Sequence, residues 1–231
     1  MFFTHSQAKI WYNMCVDDEM QNTGQLKLPL PTIRRYPAYL RAIKAKIAGG
    51  ESNVSSAVLA EELGFDPVLS RKDLAMAGVP GKPRRGYPAK ALRDAITRAL
   101  GWDSATAAAL VGVGSLGRAL IGYSGFEDQN LSIDAAFDSK PSVVGRTVHG
   151  IKVQPMDKIH DMVRQLSLKI GILTVPSAAA QSCADILVAA GVKGIWNFSP
   201  VQISVPKGVI VQCVDLAQSL AVLSHMIQGG V

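Results

Sequence analysis

The stretch Ala107-Ala108-Ala109-Leu110-Val111-Gly112-Val113-Gly114-Ser115-Leu116-Gly117 decides how this chain folds. An apolar run ending at Val111 feeds straight into the spacing Gly-x-Gly-x-x-Gly, and a helical pattern opens at Leu116 and continues to Tyr123. In that context each glycine has a separate task. Gly112 allows the tight turn, Gly114 lets backbone approach a pyrophosphate, and Gly117 lets the helix pack closely on the strand. The helix start adds unpaired amide hydrogens and the positive end of its dipole. Asp138 follows 21 residues after Gly117, at the end of the next apolar run. A carboxylate there accepts both ribose hydroxyls and repels a 2′-phosphate, so NADH and NAD are the expected cofactors and NADP is disfavoured. Glycines that serve turn geometry alone are the alternative, and Asp138 at this distance speaks against it.

Downstream, apolar runs alternate with helical patterns. The candidate strands are 107–113, 131–137, 170–175, 194–198 and 209–214. Each is nearly continuously apolar, which predicts a parallel sheet covered on both faces, the Rossmann-like α/β arrangement, over residues 104–214. Residues 215–231 hold a last helix with Leu216, Leu220, Leu223 and Ile227 on one stripe and Ala217, Ala221, Val222 and Met226 beside it. A helix this apolar is buried on several sides, in its own core or, the preferred reading, against a partner subunit.

Upstream, the pattern is short and helical. Ile33, Tyr36, Leu40, Ile43 and Ile47 recur at intervals of three and four before the stop at Gly49-Gly50. Ser55-Ser56 caps a second helix that ends at Gly64, and Asp66-Pro67 opens a third that runs to about Ala77. Two short helices joined by a tight turn, with Arg71 and Lys72 on the second, outline a helix-turn-helix. Residues 78–88 hold three Gly, three Pro and the basic trio Lys82, Arg84 and Arg85, which suits a hairpin wing followed by Tyr87. A fourth helix, with Pro88 at its first position, closes an α+β winged-helix domain over residues 29–103. Charge supports the division: residues 27–98 carry 14 Lys and Arg against 6 Asp and Glu, whereas residues 105–231 carry 9 against 8. A basic domain joined to a nearly neutral one is expected to face a polyanion such as double-stranded DNA, a solvated basic face being the alternative.

The 231 residues are 48% hydrophobic and 18% charged, with no apolar run near the roughly 20 residues of a membrane span. Residues 1–28 are expected to form a poorly ordered or peripheral arm, and they lack the basic start and small-residue cleavage site of a secretory signal, which makes the cytoplasm the expected location. Cys15, Cys183 and Cys213 are odd in number and far apart, with no C-x-x-C pair, which argues against a disulfide framework and a zinc site; no metal is expected. No catalytic residue is assigned. His5, His149, His160 and His225 lie in the arm, a turn, a helix expected at the surface and the last helix, and little room is left for a substrate domain. A binding protein therefore fits better than an enzyme. The rivals are an NAD-dependent oxidoreductase with Tyr123 as acid–base group and a coenzyme A or other nucleotide-binding module.

Several stretches together resemble one family, the Rex redox-sensing transcriptional repressors. They are Leu30-Pro31-Thr32-Ile33-Arg34-Arg35-Tyr36, Val54-Ser55-Ser56-Ala57, Arg71-Lys72-Asp73-Leu74, the glycine loop, Ala136-Phe137-Asp138, Leu173-Thr174-Val175-Pro176 with Ala180-Gln181, Gly194-Ile195-Trp196-Asn197-Phe198-Ser199-Pro200, and Val214-Asp215-Leu216. The resemblance implies a homodimer whose winged helices read a palindromic operator, whose Rossmann domains hold NADH or NAD, and whose C-terminal helices are exchanged between subunits. It implies repression relieved by NADH. By position it assigns Gly112, Val113, Gly114, Ser115, Leu116, Gly117, Asp138, Thr174, Val175, Pro176, Asn197, Ser199 and Pro200 to the cofactor. It assigns Ser55, Ser56, Arg71, Lys72, Lys82, Arg84, Arg85 and Tyr87 to DNA, and Arg41, Tyr123 and Asp215 to a switch network between subunits. Two stretches depart from the family pattern: Ala75-Met76-Ala77 replaces an aromatic pair, and the wing reads Gly81-Lys82-Pro83-Arg84-Arg85-Gly86-Tyr87.

Overall fold

The computed structural model describes residues 28–229, and these separate into two compact units between residues 105 and 106. The arm expected over residues 1–28, with His5 and Cys15, lies outside the described residues apart from Leu28.

The first unit runs α1 (Leu30–Ala48), β1 (Asn53–Val54), α2 (Ser56–Leu63), α3 (Pro67–Met76), β2 (Tyr87–Pro88) and α4 (Ala89–Ala99). Its helices begin where side-chain oxygens can satisfy first-turn amides: Ser55 accepts the N–H of Ala57 and Asp66 accepts that of Leu69 at 2.7 Å. Tyr36, Tyr39, Ile43, Leu59, Leu74, Leu92 and Ile96 fill the core between them. Strands β1 and β2 pair antiparallel, Val54 opposite Tyr87 and Asn53 opposite Pro88. Pro88 is thus the cap residue ahead of α4, not its first helical residue. The pairing holds it in the sheet, and Ala89 sends its N–H to Ser52 O at 2.9 Å.

The second unit contains β3 (Thr106–Val111), α5 (Ser115–Ile121), β4 (Leu131–Asp138), β5 (Thr147–Val148), β6 (Ile151–Pro155), α6 (Ile159–Gln165), β7 (Ile170–Leu173), α7 (Ser177–Ala190), β8 (Gly194–Asn197), β9 (Ile210–Cys213) and α8 (Leu216–Gln228). The sheet order is β5-β6-β4-β3-β7-β8-β9. All neighbours are parallel except β5 against β6. The parallel strands follow the Rossmann order 3-2-1-4-5-6, in which the chain reverses direction across the sheet beside its first strand and opens a crevice at the strand ends.

Alternation along β3 divides the core into two layers. Ala109 and Val111 meet Phe137, Ile159, Val163, Ala184 and Leu187 on the α6–α7 face. Ala108 and Leu110 meet Ala136, Ile172, Leu120, Trp196 and Phe198 on the other. Strands β5 and β6 have no counterpart in the predicted set, because Ile151-Lys152-Val153-Gln154-Pro155 is only partly apolar and lies near the sheet edge. Strands β7 and β8 stop earlier than predicted, at Leu173 and Asn197, so that Thr174, Val175 and Phe198 leave the sheet as loop residues at its C-terminal edge. Helix α8 starts at its Asp215 cap and exposes Leu220 (62%), Leu223 (55%) and Ile227 (72%). Among the described residues, no helix is long and apolar enough to cross a membrane, and no group of three His, Cys, Asp or Glu is placed to hold a metal ion.

Candidate functional site

The crevice beside β3 is a cleft of about 440 Å³, lined by Gly112, Val113, Gly114 and Asp138 together with Thr174, Val175 and Pro176. The loop over it is fixed by close contacts. Gly112 has φ +98°, and a Cβ there would lie 2.7 Å from Thr174 O. A Cβ on Gly117 would lie 2.1 Å from Gly112 O, so only glycine lets α5 pack this tightly on the turn. Gly114 differs: a Cβ there would meet no protein atom within 4 Å, and the space that it would fill opens outward at the start of α5. A dinucleotide pyrophosphate needs this kind of cradle, in which two glycines shape the turn and a third leaves room.

Asp138 does more than the spacing predicts. It is 8% exposed, and its two carboxylate oxygens accept the N–H groups of Val113 and Lys140, both at 2.8 Å. The end of β4 therefore holds the glycine loop directly, and each oxygen retains a lone pair for a ribose hydroxyl. On the opposite wall the Thr174 hydroxyl donates to Gly112 O at 2.6 Å.

Ser115 and Leu116 lie exposed on the first turn of α5. Asn197, Ser199 and Pro200 do not line the cleft. Asn197 is fully buried; its amide donates to Val201 O at 2.8 Å and its oxygen accepts the Ser199 N–H at 2.9 Å. The Ser199 hydroxyl donates to Val175 O at 2.7 Å, so this loop braces the cleft wall from behind. Arg118, Lys140, Val143, Met156, Ala179 and Cys183 also line the cleft and were not predicted. Lys140 is two residues from Asp138, and Ala179 and Cys183 share a face of α7, so both were within reach of periodicity. Burial pushes the Cys183 thiol above its ordinary value, the nearby Asp138 charge adds to this, and a hydrogen bond with Ser182 opposes it.

In the first unit, one buried carboxylate organises the outward face. Asp73 of α3 receives two hydrogen bonds from Arg35, at 2.6 and 2.9 Å, one from Thr32 at 2.9 Å and one from Tyr39 at 3.2 Å. Tyr36 donates to Asp73 O at 3.0 Å, and the Tyr39 oxygen pairs with the Ser70 hydroxyl at 2.8 Å, which leaves the single phenol hydrogen for Asp73. Four residues of α1 thereby fix the rotation of α3 and turn Arg71 and Lys72 outward. Ser55 is exposed and Ser56 half-buried at the start of α2. Lys82 and Gly86 pair across a tight hairpin whose turn carries Arg84 at φ 62°, and Lys82, Arg84 and Arg85 are exposed. Tyr87 is a correction to the predicted DNA contacts: it is 8% exposed and its ring belongs to the core, because its strand pairs with Val54.

The expected switch residues are distributed over both units. Arg41 is exposed on α1. Tyr123 is exposed and edge-on to Phe126, with centroids 4.9 Å apart; Asp215 caps α8 by accepting the Ala217 N–H at 2.8 Å. His149, His160 and His225 are all exposed.

A winged helix with a basic outward face, joined to a Rossmann unit with a dinucleotide cradle, defines a nucleotide-sensing DNA-binding regulator. Known proteins agree. Residues 27–75 match the family model described as "Putative DNA-binding protein N-terminus", and residues 103–201 match the "CoA binding domain" model. The redox-sensing transcriptional repressor Rex of Treponema denticola is 45% identical, covering 85% of this chain and 93% of its own. That of Bacteroides fragilis is 39% identical, covering 91% and 96%. The crystal structure of RSP with β-NAD+ and operator DNA is similar at a TM-score of 0.83 and 32% identity, covering 89% of this chain and 94% of that one. RSP, a Rex-family repressor, in complex with β-NADH matches at 0.79 and 31%, covering 89% and 96%. The chain belongs to the Rex family of redox-sensing transcriptional repressors. Its relatives are named as repressors and not as enzymes.

Proposed function

We propose that this protein acts in the cytoplasm as a dimeric repressor. It holds palindromic operator DNA through its winged helices and releases it when NADH enters the cleft. The observation that carries the proposal is the pairing of Asp138 with Val113 N–H over a loop whose Gly114 faces open space. The cofactor supplies two oxidation states of one ring, and the chain supplies the discrimination between them. The glycine loop holds the pyrophosphate, Asp138 holds the ribose and disfavours a 2′-phosphate, and Thr174, Val175 and Pro176 form the wall, with Asn197, Ser199 and Pro200 bracing it. Arg71 and Lys72 enter the major groove. Ser55, Ser56, Lys82, Arg84 and Arg85 hold phosphates or the minor groove. Arg41, Tyr123 and Asp215 transmit the state of the cleft between subunits, and α8 is exchanged with the partner.

Switching a population from 1:99 to 99:1 requires about 5.5 kcal/mol of differential binding, so NADH and NAD must favour different arrangements of the dimer. The test is a DNA-binding titration at fixed salt, with either nucleotide added. Weaker operator binding with NADH than with NAD is expected, and equal affinity overturns the sensor reading. Salt is held constant because each phosphate contact adds to the salt dependence.

Coenzyme A is a second reading, favoured by the match of residues 103–201 to a CoA-binding model. A competition titration that reads NADH binding decides it: NADH binding that survives excess coenzyme A excludes this reading, and displacement of NADH supports it.

A further inference from the structure

Residues three, four and seven apart on a helix share a face, so Val68, Arg71, Lys72 and Ala75 form one stripe of α3. The opposite face, with Ser70, Asp73 and Leu74, is buried. The grip of Thr32, Arg35, Tyr36 and Tyr39 on that face fixes the stripe outward. Val68 is 60% exposed. It follows Pro67 in the first turn, which Asp66 caps, so both its backbone and its phase on the helix are set. An exposed β-branched residue beside two cations has no place in the core of its own unit. All four residues of the stripe are exposed, and none is acidic. With 14 basic against 6 acidic residues over 27–98, its chemistry suits a nucleic acid better than an apolar protein surface.

We infer that Val68 is a specificity-determining residue whose methyl groups contact the 5-methyl group of a thymine in the major groove, beside the bases reached by Arg71 and Lys72. The inference rests on the proposal that α3 enters that groove. Arginine and lysine read guanine O6 and N7, which leaves A·T positions undefined. Thymine alone among the bases of DNA presents a methyl group there, and an apolar side chain recognises it without any hydrogen bond. Exposed Ala75, one further turn along, is small enough to let the helix lie close to the base edges.

The test uses the full chain and a duplex selected by it from random sequence. Each thymine of the half-site is replaced in turn by deoxyuridine, symmetrically in both half-sites, which removes only the methyl group. One position is expected to weaken wild-type binding about fourfold per half-site, the effect of losing one methyl contact. The same replacement is expected to leave Val68→Ala unaffected, while Val68→Thr, which keeps a methyl group, retains the sensitivity. Equal effects on wild type and Val68→Ala at every position overturn the inference, as does a selected half-site without thymine. Failure of the wild type to select any duplex is a separate result, since it removes the DNA-binding proposal itself. Thermal unfolding of each variant controls for folding, and Val68 is exposed enough for the midpoint to stay unchanged.

Discussion

Asp138 accepts the backbone N–H of Val113 at 2.8 Å, which ties the residue proposed to meet the ribose to the loop proposed to meet the pyrophosphate. The two halves of the cleft are therefore one mechanical unit. Asp138→Asn keeps the volume but removes the charge and one acceptor, leaving an amide to face either Val113 N–H or Lys140 N–H. We expect NADH affinity to fall roughly ten- to a hundredfold, in line with roughly 1.5–3 kcal/mol for a hydrogen bond to a charged group. No compensating gain for NADPH is expected, because the loop itself loosens. Fluorescence titration with both nucleotides checks this, and unchanged NADH affinity would show that the ribose is held elsewhere.

The glycines of the loop separate folding from binding. Gly117→Ala drives a Cβ to 2.1 Å from a backbone oxygen, and the neighbour is not a flexible side chain that can move away. It is expected to lower the unfolding midpoint and NADH affinity together. Gly114→Ala meets nothing of the protein. It should leave the midpoint unchanged and weaken NADH alone, because its methyl group takes up ligand space. Calorimetry with and without NADH distinguishes the two outcomes.

Asp73 is 1% exposed and is paired with Arg35. Removing one member of a fully buried pair typically costs about 3–5 kcal/mol, but Arg35 keeps 20% of its side chain exposed and can regain water, which puts this pair at or below the lower end of that range. Asp73→Ala should destabilise the first unit by that order in denaturant unfolding. It should also weaken DNA binding at temperatures where the unit is still folded, because α3 loses its fixed rotation. Replacing Arg71 by Ala should instead weaken DNA binding with no change in stability.

What was legible in the sequence was local. The spacing of Gly112, Gly114 and Gly117, the placement of Asp138 and the capping by Ser55 and Asp66 all operate within a turn or at a strand end, where residue type determines conformation. Arg71 and Lys72 could be placed on the second helix of the pair because the caps at Ser55 and Asp66-Pro67 mark two short helices joined by a tight turn. The clamp on Asp73 was not, since its partners Thr32 and Tyr39 are 41 and 34 residues distant and only the fold joins them. Asn197 and Ser199 sit in a stretch that marked them for the cofactor, yet their hydrogen-bonding groups are used on Val201, Val175 and each other. Tyr87 fell to the core for a similar reason: the wing is short, and its strand must pair with β1.

The same clamp sets a pH window for the first unit. Burial acts to raise the Asp73 carboxyl, but hydrogen bonds from Arg35 and Thr32 and the charge of Arg35 outweigh it and hold the group below its ordinary 3.8. A carboxyl lowered by folding contributes stability above its unfolded value and loses it as pH falls through the folded one, so this part is lost below about pH 3.8. Tyr36 moves the other way: burial first, then the Asp73 charge, pushes its phenol from 10.0 up to about 12. Its contribution is complete below pH 10 and is lost as pH rises toward 12. Read from unfolding midpoints, the contribution of these two groups to the stability of the first unit should therefore be flat between these limits and fall at both ends. Asp73→Asn should reduce the acid fall and Tyr36→Phe the alkaline one, and a variant that reproduces the wild-type profile would refute that assignment.

Helix α8 makes the last prediction, because its composition and its surroundings in one chain disagree. Leu220, Val222, Leu223, Met226 and Ile227 are each more than half exposed. A contiguous apolar surface of this kind is uncommon on a monomer and marks an interaction site. The proposed homodimer resolves this if a second copy covers the surface about a twofold axis. Leu223→Glu with Ile227→Glu removes no contact that the isolated subunit depends on, so each subunit should still bind NADH. Sedimentation equilibrium should nevertheless shift from dimer to monomer, and operator affinity should collapse, since a palindrome needs both recognition helices held at a fixed spacing. Wild-type stability should rise with protein concentration and that of the double variant should not. A double variant that remains dimeric would place the subunit interface elsewhere on the second unit.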